Sequence, residues 1–167
     1  MVFYTLEEPP HFRGPSMGSA VHAKYLFDNK IKVKGMICLE MIGFYSEAKN
    51  SQHYPIGLMK LFYPSAGNYV AVVGKMGQGN FLRKIKRKII PVCGIDVRSI
   101  NAPTFVTGID FSDHLNYWKY GYDAIMITDT SFYRNENYHQ TSDLPSTLNF
   151  DKMAEVVKGI YNAVVGL

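Results

Sequence analysis

Short apolar segments rich in β-forming residues alternate along this chain with segments in which apolar residues recur every three or four positions. Strands that alternate with helices indicate βα units, which place helices on both faces of a mostly parallel, twisted sheet. The sequence therefore predicts an α/β fold. The predicted strands are residues 2–6, 34–42, 69–73, 97–102 and 123–128, and the predicted helices are residues 16–29, 81–89, 112–120 and 150–165.

The composition favours one folded domain over residues 1–167. With 47% hydrophobic and 19% charged residues, the chain has enough apolar surface for a core and lacks the composition of a disordered protein. No apolar run approaches the roughly 20 residues that cross a bilayer, so we expect no membrane partner. Cys38 and Cys93 are too few for a disulfide scaffold or a zinc ribbon. Residues 1–5 lack the pattern of a signal peptide, and no localisation is predicted.

Much of the net charge of +4 lies in the predicted helix 81–89. Its apolar residues share one helical face, so the basic side chains form the outer face. A nucleic-acid interface would need interleaved exposed aromatic residues or a known module, and neither is visible, so we expect no nucleic-acid partner. The basic residues are Arg83, Lys84, Lys86, Arg87 and Lys88.

Glu40 is a single carboxylate within the apolar strand 34–42. Removing an ionised carboxylate from water costs several kcal/mol unless a cation or hydrogen bonds compensate. A metal or a buried basic partner would explain the residue. The alternative is that Glu40 ends the strand and faces solvent or an arginine.

Two adjacent carboxylates, Glu7 and Glu8, follow the predicted strand 2–6. Because side chains alternate along a strand, the two point in different directions. One could bind a metal while the other takes a proton from water. A charged loop is the alternative, although Pro9 and Pro10 stiffen the backbone that presents both groups.

The histidines are less specific. His139 lies in the long loop after strand 123–128, and long loops in compact domains are usually functional or disordered. A plain surface histidine is the alternative there, and Asp113 with His114 could simply cap helix 112–120. No HExxH motif is present. Mixed carboxylate and imidazole ligands suit zinc.

Taken together, these segments resemble the co-catalytic zinc exopeptidases of clan MH, which include bacterial leucyl aminopeptidases and glutaminyl cyclases. The similarity covers nearly the whole chain, in order and in spacing. The matching stretches are residues 5–10, 17–19, 39–43, 112–114, 124–130, 132–139 and 153–157.

The resemblance implies the phosphorylase/hydrolase-like α/β fold and a role for each matching position. It implies that Glu7 is the general base, that Glu8 and His139 hold one zinc, and that Glu40 holds a second zinc. It further implies that Asp113 and His114 line the pocket and that a loop with Tyr133 and Arg134 shapes substrate binding.

The chain departs from the family pattern at its beginning. The family draws two further ligands, a histidine of a His-x-Asp motif and a bridging aspartate, from upstream of the Glu-Glu pair. We therefore expect residues 1–167 to be the C-terminal part of one catalytic domain that lacks its N-terminal strands. Alone, the chain should bind zinc poorly, show little activity and self-associate through the uncovered sheet.

Three functions remain open on this basis. The first is an aminopeptidase that acts on peptide substrates through metal-activated water. The second is an acyltransferase similar to the glutaminyl cyclases. The third is a peptidase-like fragment without catalytic activity, since fold alone does not determine function.

Overall fold

A computed structural model describes residues 1–167 as a four-stranded sheet between two pairs of helices. The helices are α1 (Gly18–Asp28), α2 (Gly79–Ile89), α3 (His114–Lys119) and α4 (Phe150–Val165). The strands are β1 (Met36–Leu39), β2 (Tyr69–Lys75), β3 (Asp96–Ala102) and β4 (Ala124–Thr128).

The sheet has the order β1-β4-β2-β3 and is mixed. β1 pairs with β4 and β2 pairs with β3 in parallel, whereas β2 and β4 are antiparallel. Two of the three pairings are thus parallel, and the predicted α/β class is confirmed. β1 and β3 form the edges of the sheet.

Each face of the sheet has its own hydrophobic core. Because side chains alternate along a strand, Ala124 and Met126 of β4 pack on the face covered by α1 and α3. Ile125 and Ile127 pack on the opposite face against α2 and α4. The basic helix α2 buries Phe81, Leu82, Ile85 and Ile89, as its apolar spacing predicted.

The strand predicted for residues 2–6 does not form. Residues 1–6 pair with no strand, and their one backbone hydrogen bond runs from the Gly18 N–H to the Thr5 carbonyl, at 2.9 Å. A short apolar run becomes a strand only where a neighbouring strand offers its backbone groups. β1 is also shorter than predicted, since residues 34, 35 and 40–42 lie outside it. No helix of the structure combines the length and apolarity needed to cross a membrane.

Candidate functional site

The carboxyl ends of β1 and β4 lie side by side because these strands are parallel neighbours. Such strand ends are where open α/β sheets place their sites. Glu40 follows β1, and its N–H donates to the Ile127 carbonyl at 3.0 Å. The Ser112 hydroxyl donates to Glu40 Oε2 at 2.8 Å and lies 3.2 Å from Cys38 Sγ. Glu40 is therefore fixed by its backbone and by one serine.

Glu40 is half-buried without a basic partner. Burial raises the pKa of its carboxyl, the Ser112 hydrogen bond lowers it, and the carboxylates of Glu8 and Asp113 raise it further. The Arg or Lys partner that a structural role would need does not contact it. This leaves Glu40 available for a cation or a substrate group.

Glu7 and Glu8 differ in burial. Glu7 is half-buried, and burial raises its pKa to about 7, with further contributions from the Glu40, Glu8 and Asp113 carboxylates. Glu8 is exposed, and its Oε2 lies 3.5 Å from Nε2 of His139. The carboxylates of Glu7, Glu8 and Glu40 thus lie near enough to influence one another, and His139 is a direct neighbour of Glu8 alone.

Backbone strain is concentrated at the same place. Leu6 (φ 60°) precedes Glu7, Met41 (φ 47°) follows Glu40, and His139 itself has a φ of 58°. Non-glycine residues in the left-handed region cost roughly 1–3 kcal/mol each and cluster at functional sites. Thr130 and Ser131, at φ 76° and 50°, line the adjoining cleft.

Asp129, a residue to which the sequence assigned no role, organises the two strand-end loops. Its buried carboxylate accepts hydrogen bonds from the N–H groups of Gly43, Phe44 and Ser131, at 2.7–3.0 Å. Burial nevertheless raises the pKa of Asp129 to about 6. The signals for it in the sequence were its position directly after an apolar strand and its place in the matching stretch 124–130.

Asp113 and His114 are adjacent but lie in different surroundings. Asp113 is half-buried beside the site, where its charge raises the pKa of both Glu7 and Glu40. His114 is fully buried, donates from Nε2 to the Ile109 carbonyl at 2.7 Å and packs edge-on against Trp118. Burial lowers the pKa of His114 to about 4, so the ring is neutral at physiological pH.

Tyr133 and Arg134 also lie in different surroundings. Tyr133 lines the cleft and donates from its hydroxyl to the Thr107 carbonyl at 3.1 Å. Arg134 is only 5% exposed, donates to Gln52 Oε1 and to the Tyr69 carbonyl, both at 2.9 Å, and lies over the Tyr69 ring. Its guanidinium therefore braces the loop from inside the fold.

A largely apolar cleft of about 90 Å³ opens beside Glu40. Tyr138 lines it and stacks on His139, with ring centroids 3.9 Å apart and an interplanar angle of 17°. The cleft thus lies directly beside the candidate metal ligands. Its apolar lining includes Val73, Ile100, Val106, Ile109, Phe111 and Phe132.

The donors at this site suit zinc in type but not in number. Glu8 and His139 provide a carboxylate and an imidazole, the ligand types that zinc takes in proteins. No group of three His, Cys, Asp or Glu side chains converges as a metal-binding set. Catalytic zinc usually has three protein ligands, one more than the adjacent pair of Glu8 and His139 supplies.

The chain is similar in sequence to several known proteins. No protein-family profile matches the chain. It is 50% identical over 160 residues to the uncharacterized protein YfbL of Escherichia coli, covering 96% of this chain and 49% of YfbL. It is 30% identical over 159 residues to leucine aminopeptidase 1 of Emericella nidulans, covering 93% of this chain and 34% of that protein.

Solved structures extend the comparison to the fold. BSAP, a zinc aminopeptidase from Bacillus subtilis, superposes with a TM-score of 0.61 at 18% identity, over 89% of this chain and 32% of BSAP. The chain thus spans about half the length of YfbL and about a third of the aminopeptidases that it matches. The chain shares its fold with about a third of BSAP.

Proposed function

We propose that residues 1–167 form the C-terminal part of the catalytic domain of a zinc-dependent exopeptidase, an aminopeptidase that removes N-terminal residues from peptides. The observation that carries this proposal is the proximity of the Glu7, Glu8 and Glu40 carboxylates at the strand ends, with Glu8 next to His139 and Glu40 beside an apolar cleft. The resemblance of the chain to aminopeptidases, in sequence and in fold, supports it.

Glu7 is the general base in this proposal. A pKa of about 7 lets its carboxylate accept a proton from the attacking water and return it to the leaving amine near neutral pH. Glu8 and His139 would hold one zinc, and Glu40 would contribute to a second. Bound zinc would supply polarisation of the scissile carbonyl and a lower pKa for water.

The cleft gives this site its substrate preference. Its lining beside Glu40 is mostly apolar, with aromatic rings from Phe111, Phe132 and Tyr138. A bulky apolar side chain of the N-terminal residue would be removed from water there, at roughly 25 cal/mol per Å² of buried apolar surface. The peptide bond of that residue would then lie next to Glu7 and Glu40.

A non-catalytic role is the second candidate, and one observation favours it. The chain gathers only two candidate ligands, Glu8 and His139, into direct proximity. A polypeptide with this set alone would keep the fold and the cleft without turnover, and would act by binding peptides.

The test fuses the half of YfbL that this chain does not match to the N-terminus of the chain. We expect the 167-residue chain alone to release no product from leucyl-anilide with added zinc, whereas the chimera shows chelator-sensitive hydrolysis. Glu7→Gln in the chimera should lower kcat by about 10²–10⁴-fold, while Glu47→Gln, at an exposed position tied to Lys152, should not. An inactive chimera that binds peptide would support the non-catalytic candidate, and cyclised glutaminyl products would indicate an acyltransferase.

A further inference from the structure

Three side chains from different parts of the chain meet in one hydrogen-bonded cluster, which we name the tyrosine clasp: Tyr4, His22 and Tyr117. The Tyr4 hydroxyl lies 2.5 Å from the Tyr117 hydroxyl and 2.7 Å from His22 Nδ1. The Tyr117 hydroxyl lies 2.8 Å from the same nitrogen. The clasp therefore joins the N-terminal segment to α1 and α3.

The clasp holds two hydrogen bonds, because its two hydroxyl protons are distributed over three short contacts. With the imidazole proton on Nε2, Nδ1 of His22 is an acceptor. The Tyr4 hydroxyl then donates to the Tyr117 oxygen, and the Tyr117 hydroxyl donates to Nδ1. Each of the three side chains is hydrogen-bonded to another of them, so removal of one hydroxyl weakens the whole cluster.

Apart from the hydrogen bond from the Gly18 N–H to the Thr5 carbonyl, no backbone hydrogen bond holds residues 1–6. Residues 1–6 pair with no strand, and Met1, Val2 and Phe3 are exposed. Leu6 has a left-handed backbone, a strained conformation that persists only where its surroundings impose it. The Tyr4 ring packs against the core on the α1 and α3 face. Tyr4 is thus the main side-chain anchor immediately before Glu7 and Glu8.

Both groups of acidic residues at the site, Glu40 and the pair Glu7 and Glu8, are connected to α3 by hydrogen bonds. Ser112, just before the helix, donates to Glu40, whereas Tyr117, within the helix, bonds Tyr4. One short helix therefore connects the carboxylate at the end of β1 to the segment that carries Glu7 and Glu8.

We propose that Tyr4, His22 and Tyr117 are positioning residues that hold Glu7 and Glu8 at the site, against the helix that also orients Glu40. The inference rests on the proposed function for the roles of Glu7 and Glu8. It does not depend on zinc, because the clasp acts through hydrogen bonds among residues of this chain.

The test measures backbone order in the 167-residue chain by ¹⁵N relaxation. Tyr4→Phe and Tyr117→Phe should lower the order parameters of the Glu7 and Glu8 amides from about 0.85 to below about 0.6, with α4 unchanged. Tyr25→Phe is the matched control, since Tyr25 lies exposed on α1 and its hydroxyl bonds nothing. Unchanged order in both clasp variants, or equal loss in the control, would overturn the proposal.

A kinetic measurement separates positioning from general support of the fold. In the YfbL chimera, Tyr4→Phe should lower kcat by as much as about 10²-fold with KM nearly constant, because misplacement of a catalytic group affects the reacting geometry. Equal kcat in the wild-type and Tyr4→Phe chimeras would contradict a positioning role. If the wild-type chimera is inactive while the order parameters respond as expected, the proposed function fails and the anchoring by the clasp stands.

Discussion

The two groups of acidic residues at this site are presented in opposite ways. Glu40 follows a strand whose backbone pairing continues into the residue itself, and it needs only Ser112 to orient it. Glu7 and Glu8 sit on a segment without strand pairing, held by side chains from α1 and α3, by the Gly18 N–H at the Thr5 carbonyl and by a turn from Glu8 to His11. Sheet pairing fixes a residue through its own backbone, whereas the N-terminal segment depends on contacts from far along the chain.

The largest expected effect is a loss of stability on substitution of Asp129, which supports the loops at the strand ends. Asp129→Asn should destabilise the protein by about 2 kcal/mol, because an amide cannot accept from all three N–H groups that the carboxylate satisfies. Urea unfolding measures the loss. The matched control is Asp123→Asn at the other, exposed end of β4, where we expect a change within about 0.5 kcal/mol. Equal effects at both ends would show that Asp129 does not organise the loops.

The next largest effect is a change of protein stability with pH that depends on Glu7. Burial, with the nearby carboxylates, raises its pKa from 4.5 to about 7. The folded state therefore binds this proton more tightly than the unfolded state does, and stability falls as the pH rises from about 4.5 to about 7. Allowing for solvent screening of this half-buried group, the contribution is about 1 kcal/mol, or about 2–4 °C in Tm.

Thermal melts in metal-free buffer at about pH 5 and about pH 7.5 check this sign. Glu7→Gln should remove that part of the pH dependence, while Glu136→Gln, exposed in the loop after β4, should leave it intact. A wild-type protein that gains stability relative to Glu7→Gln as the pH rises would refute the assignment.

The smallest effect is association at the outer edge of β1. We propose that the chain self-associates there, since β1 pairs on one side only and Leu39, its last residue, is 47% exposed. Analytical ultracentrifugation from micromolar to millimolar concentration should show reversible association, and Leu39→Lys should weaken it. A strictly monomeric chain over this range would count against an open edge.

Only some of the residues that the sequence predicted for the site lie at it. Glu40 was identifiable because a carboxylate inside an apolar stretch needs an explanation, and its carboxyl lies near that of Asp113. Arg134 and His114 match the same family pattern but lie inside the fold. Sequence spacing does not distinguish the side of a loop or helix that faces a cleft from the side that faces the core.

The sequence by itself determined the alternation of strands and helices and the residue types available for chemistry, because hydrophobic periodicity is local. Only the tertiary structure decided that residues 2–6 stay unpaired, that Asp129 ties two loops together, and that Tyr4 meets His22 and Tyr117. These outcomes depend on which distant groups become neighbours. Hydrogen-bond partners and strand pairing are properties of that packing, not of any single segment.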